Sequence, residues 1–137
     1  MTDFGNIGLN EVAIGIPVPA YWALLMQRTV GQRTAEKLLP YGLMPKADEA
    51  LQMGLVDALV PADRLTAAAE ETMQQMLKVF DGGRQATKGH LRKAFSKEWE
   101  AFCEGEAADG WRLVSHPQTV LAMEGILQKL SKGKKDA

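Results

Sequence analysis

Two stretches of this chain, Phe4 to Leu9 and Leu55 to Val60, have the apolar content and spacing of extended strands, and two short strands do not make an independent sheet. The other periodic segments read as helix. The chain is therefore either all-α with extended connectors, or it holds pieces of a sheet whose remaining strands lie elsewhere.

Prolines and glycines mark where the helices begin and end. Pro19 suits the first turn of a helix through Tyr21 to Met26, with Trp22 and Leu25 on one face, and Gly31 closes it. A second helix, Thr34 to Leu39, ends against Pro40 and Gly42, because proline cannot continue the hydrogen-bond ladder. A third, Ala47 to Met53, stops at Gly54, a natural left-handed cap. Pro61 then opens a helix whose Leu65, Ala69, Met73, Met76 and Phe80 form one stripe, expected to be core rather than a cofactor box. Asp81-Gly82-Gly83 breaks the chain before a helix from Gln85 to Phe95, with Leu91, Ala94 and Phe95 turned inward. Glu98 to Leu113 is helical but interrupted by Gly105 and Gly110, and Pro117 to Leu130 carries a last apolar stripe of Val120, Met123, Leu127 and Leu130.

Composition excludes several classes of function. The 137 residues suit one domain with a sizeable core, and a formal net charge of -1 argues against a general nucleic-acid binder, which needs a basic face. A single cysteine, Cys103, excludes an internal disulfide and any cysteine zinc cluster, and it is expected to be an inert buried thiol. No run approaches the roughly 18 apolar residues of a membrane span, and no targeting segment opens the chain.

The best functional lead is Glu11. It is the one carboxylate in an otherwise uncharged, largely apolar run, Ile7-Gly8-Leu9-Asn10-Glu11-Val12-Ala13-Ile14-Gly15-Ile16. An acid flanked by Leu9, Val12, Ile14 and Ile16 loses water on folding, and desolvated carboxyl groups are suited to proton transfer near neutrality. The alternative is a solvated acid in a turn.

Three pieces in this order, I-G-L-N-E-V-A-I-G-I (7 to 16), G-Q-R-T-A-E-K-L-L-P-Y-G (31 to 42) and A-D-E-A-L-Q-M-G-L-V-D-A-L-V-P (47 to 61), resemble the C-terminal half of the crotonase, or enoyl-CoA hydratase/isomerase, superfamily. The G-L-N-E string followed by P-A-Y-W at 19 to 22 is similar to the mitochondrial-type delta(3)-delta(2)-enoyl-CoA isomerases, where hydratases usually carry a glycine-rich segment. The resemblance implies an α/β crotonase-like fold, represented by its mostly helical C-terminal half with one or two short strands. It assigns residues 1–61 to the catalytic core and 62–137 to a helical region for trimerisation and active-site cover.

The glutamate matching Glu11 is, by this resemblance, the acid/base. It removes a proton from C2 of a 3-enoyl-CoA thioester, forms a dienolate, and returns the proton at C4 to give 2-trans-enoyl-CoA in fatty-acid β-oxidation. One carboxylate serves both steps if it sits over the same face of C2 and C4. Asn10 matches a residue lining the acyl pocket, and equally suits a turn. The resemblance implies an acyl-CoA substrate, no metal and no cofactor beyond the CoA that enters with the substrate. It also implies a homotrimer when full length, and a place in the mitochondrial matrix.

Family members hold the enolate oxygen with two backbone N–H groups upstream of the G-L-N-E string, where this chain has only Met1 to Asn6. One such donor is worth about 10²- to 10³-fold in rate, so the chain is expected to be roughly half an enzyme and inactive alone. A non-catalytic association module is the alternative of a different class, and hydratase or acyl-CoA hydrolase activity the alternative within the superfamily. Trp22, Trp99 and Trp111 are expected to pack in a core or interface, Asp57 and Glu49 to serve capping and solvation, and the basic tail of Lys129, Lys132, Lys134 and Lys135 to be solvated.

Overall fold

The computed structural model describes residues 1–133, without the side chains of Glu104, Lys129, Leu130 and Lys132. The basic tail and Leu130 of the last apolar stripe therefore lie outside the described residues. Among the described residues six α-helices are formed: α1 (Ala20–Val30), α2 (Gln32–Leu38), α3 (Ala47–Gln52), α4 (Leu65–Leu77), α5 (Asp81–Val114) and α6 (Pro117–Gly133). The same residues hold three 3-10 turns: Glu11–Ile14 before α1, Leu39–Tyr41 between α2 and α3, and Ala62–Arg64 between α3 and α4.

The punctuation residues act largely as expected. Pro19 is the residue before α1, Gly31 separates α1 from α2, and Gly42 follows the turn that extends α2. At α3 the Glu49 carboxylate accepts from the Lys46 backbone N–H at 2.8 Å, which satisfies a donor at the helix start.

Among the described residues the extended segments meet their neighbours in isolated bridges, Thr2 with Val60 in parallel and Asn6 with Lys46 antiparallel. No strand runs from Leu55 to Val60, and the reason is local. The N–H groups of Leu55 and Val56 both donate to the Ala50 carbonyl, at 2.9 and 3.3 Å, so the start of that segment is used in closing α3.

Two compact units are present. The first comprises Met1–Ile7 with Pro45–Cys103, and the second Gly8–Met44 with the residues from Glu104 onward. In the first, Asp3 N–H donates to Val60 O and Ile7 N–H to Pro45 O, each at 3.1 Å, and Ala47 and Ala50 of α3 are buried. In the second, α1 packs on α2, with Met26, Ala35 and Leu38 buried, and Thr119 of α6 is buried as well.

Several helical expectations are corrected. α5 is continuous from Asp81 to Val114 and absorbs Gly82, Gly83, Gly105 and Gly110. A mid-helix glycine costs about 1 kcal/mol relative to alanine, whereas stopping and restarting a helix forfeits several backbone bonds and a new nucleation step. The stripe from α4 to Phe80 beyond its end is not core: Met73 and Met76 are exposed and Phe80 is 85% exposed. Leu91 is 71% exposed, and of the inward-expected trio Ala94 is also exposed while Phe95 is partly covered, its ring edge-on to Trp99 at 5.8 Å. Val120 and Leu127 of α6 are exposed, with Met123 partly covered. Cys103 is exposed, as are Trp22 and Trp111. Amphipathic periodicity identifies the apolar face of a helix but not whether another element lies on it.

Candidate functional site

Glu11 is the first residue of the 3-10 turn Glu11–Ile14, and that turn is tied at both ends by backbone bonds. Ala13 N–H donates to Asn10 O at 2.9 Å, opening it. Gly15 N–H donates to Val12 O at 3.1 Å and Ile16 N–H donates to Glu11 O at 3.3 Å, closing it. This nested pair of bonds is the Schellman arrangement, and it requires a left-handed residue at Gly15, whose φ is 80°. The Glu11 carbonyl is thus held from the C-terminal side.

Two other elements of the same unit support the turn. It lies against the Leu39–Tyr41 turn and against α6. The approach to Gly42 is close: a β-carbon there would come within 2.9 Å of Val12 Cγ2 and 3.6 Å of Ala13 Cβ. The backbone at Gly42 is left-handed, φ 59°, so glycine serves both the chain reversal and the contact with the turn.

The Glu11 side chain is half-buried, and its Oε2 atom is buried with no hydrogen-bond partner among the described residues. Buried carboxylate oxygens are normally satisfied, and an exception marks either a cost to stability or an atom reserved for something that binds. One oxygen of the carboxylate is thus shielded, while the residue as a whole is half-buried. Asn10 is exposed, and its side chain does not cap the turn it precedes. Its backbone carbonyl alone takes part in the turn.

One contributor escapes sequence reading. The Ala20 N–H at the start of α1 donates to Glu106 Oε1, on α5, at 2.7 Å. Pro19 offers no side-chain acceptor for that donor, and Glu106 is 86 positions away, so no local spacing announces the pair.

The site thus presents a half-buried carboxylate with one shielded oxygen, on a turn fixed by backbone bonds. The enoyl-CoA hydratase/isomerase family model matches residues 1–134, and the chain belongs to that family. It is 30% identical over 128 residues to human mitochondrial enoyl-CoA delta isomerase 1, a match covering 93% of this chain and 42% of the human protein. The mouse counterpart is 32% identical over 129 residues, covering 94% of this chain and 45% of its own.

Among solved structures, human mitochondrial delta3-delta2-enoyl-CoA isomerase superposes with a TM-score of 0.87 at 30% identity, over 94% of this chain and 50% of that one. An enoyl-CoA hydratase/isomerase from Pseudoalteromonas atlantica superposes with a TM-score of 0.74 at 23% identity, over 86% of this chain and 48% of that one, a likeness of fold. The fold is thus crotonase-like, represented by its mostly helical part. The chain spans about half the length of the relatives it matches.

Proposed function

We propose that this chain is the acid/base-bearing half of a mitochondrial enoyl-CoA delta isomerase of fatty-acid β-oxidation. The observation that carries the reading is the buried, unpartnered Oε2 of Glu11 on a turn held by its own backbone bonds. The curated relatives, named as mitochondrial enoyl-CoA delta isomerases, support it.

In this reading Glu11 takes the proton from C2 of a 3-enoyl-CoA, electron density moves into the thioester carbonyl as a dienolate, and the same carboxyl group returns the proton at C4. No net redox change occurs, and CoA enters only as part of the substrate. The exposed Asn10 side chain lines the acyl pocket. Residues 1–61 supply the catalytic turn, and 62–137 the contacts of a homotrimer, for which the exposed apolar side chains of α4 and α6 are suited.

The test is conversion of 3-hexenoyl-CoA to the 2-enoyl thioester. The 137 residues alone are expected to give none, because the resemblance places the family's two oxyanion donors upstream of the matched segments. Supplied with an upstream crotonase half, the protein is expected to turn over, and Glu11→Gln to abolish it. Turnover that survives Glu11→Gln would remove Glu11 from the mechanism, and robust turnover by the 137 residues would end the half-enzyme reading.

A further inference from the structure

Glu106 sits on α5, far from Glu11 in sequence, yet a short and stiff path joins them within one unit. Its Oε1 accepts from the Ala20 N–H at 2.7 Å. That N–H is one of the donors left unpaired at a helix start, where a carboxylate also meets the positive end of the helix dipole. Between Ala20 and Ile16 lie Pro17, Val18 and Pro19. Each proline fixes its own φ and biases the residue before it, here Ile16 and Val18, away from the helical region. Ile16 in turn donates its N–H to the Glu11 carbonyl at 3.3 Å.

A displacement of the α1 start therefore has little freedom in which to dissipate before it reaches the turn that carries the acid. We propose that Glu106 is a positioning residue for Glu11, fixing the catalytic turn through the start of α1 and the Pro17-Val18-Pro19 connector. The proposal rests on Glu11 being the acid/base, and concerns how that carboxylate is held in place.

Length and acceptor identity separate this role from simple charge. Glu106→Gln keeps the reach and an oxygen acceptor. Glu106→Asp keeps the charge but is one methylene short. Glu106→Ala keeps neither. The test is the backbone amide spectrum of the isotopically labelled 137-residue chain, read at Glu11, Gly15 and Ile16, which needs no catalytic activity.

The alanine and aspartate variants are expected to move these three signals, and the glutamine variant to leave them near their original positions. In the protein supplied with its upstream half, alanine and aspartate are expected to lower kcat about 10- to 100-fold with KM within about twofold, the scale of a small misplacement of a reacting group. Should the alanine variant fail to fold, the glutamine and aspartate pair decides. Signals of Glu11 and Ile16 that stay in place when aspartate replaces Glu106 would overturn the proposal, whatever the activity. A Glu11→Gln protein that still turns over would instead overturn the assignment of the base and leave the structural coupling to stand or fall on its own spectra.

Discussion

Gly42 and Val12 meet so closely that a β-carbon on Gly42 would stand 2.9 Å from Val12 Cγ2. The turn bearing Glu11 is thus seated on backbone. Gly42→Ala adds this collision to the strain of a left-handed alanine at φ 59°, about 1 to 2 kcal/mol before the clash is counted. The expected result is a stability loss of more than about 2 kcal/mol by urea unfolding, with loss of turnover in the completed protein.

Gly15→Ala isolates the conformational part. At Gly15 φ is 80° and nothing lies within 4 Å of the added carbon. The expected loss is about 1 to 2 kcal/mol, less than for Gly42→Ala in the same urea series. Equal losses at the two positions would show that the Val12 contact relaxes without cost.

Glu11 is expected to separate stability from activity. Replacing a carboxylate whose Oε2 is buried and unpartnered by leucine removes a desolvation cost of about 1 to 3 kcal/mol. Glu11→Leu should therefore raise the urea midpoint of the chain while abolishing isomerisation in the completed protein. A lowered midpoint would mean that the carboxylate stabilises the turn.

Met76→Lys on α4 is expected to change stability by less than about 0.5 kcal/mol, because Met76 is 57% exposed and the lysine stem can lie along the same surface. A core methionine would cost several times that. The same substitution in the completed protein should weaken self-association, measured by light scattering, if this face holds the subunit contact.

Gly110→Ala on α5 is expected to stabilise the chain by about 0.5 to 1 kcal/mol, since Gly110 lies within the continuous helix and an added β-carbon meets nothing within 4 Å. Thermal unfolding followed by circular dichroism gives the check. No gain would place the helix break back at this glycine.

Much of the fold was legible because its signals are local. Pro19 and Gly31 bound α1, Gly42 and Gly54 follow the turns that close α2 and α3, and each acts through its own φ or missing N–H, properties that travel with the residue. The continuity of α5 was not legible: Gly105 and Gly110 weaken a helix by amounts that neighbouring backbone bonds outweigh. Nor was the exposure of Met73, Met76, Phe80 and Leu91, since a stripe records a face and not its cover.

Of the candidate site, the acid and its apolar neighbours are plain from the order of residues: Glu11 among Leu9, Val12, Ile14 and Ile16, followed by a glycine able to close the turn. Folding alone leaves Oε2 buried without a partner among the described residues, sets Gly42 against Val12, and brings Glu106 to the start of α1. The difference is one of range. Backbone preferences act over a few residues, whereas desolvation and close approach depend on which distant segments arrive at the same place, and the 86 positions between Ala20 and Glu106 are closed only by folding.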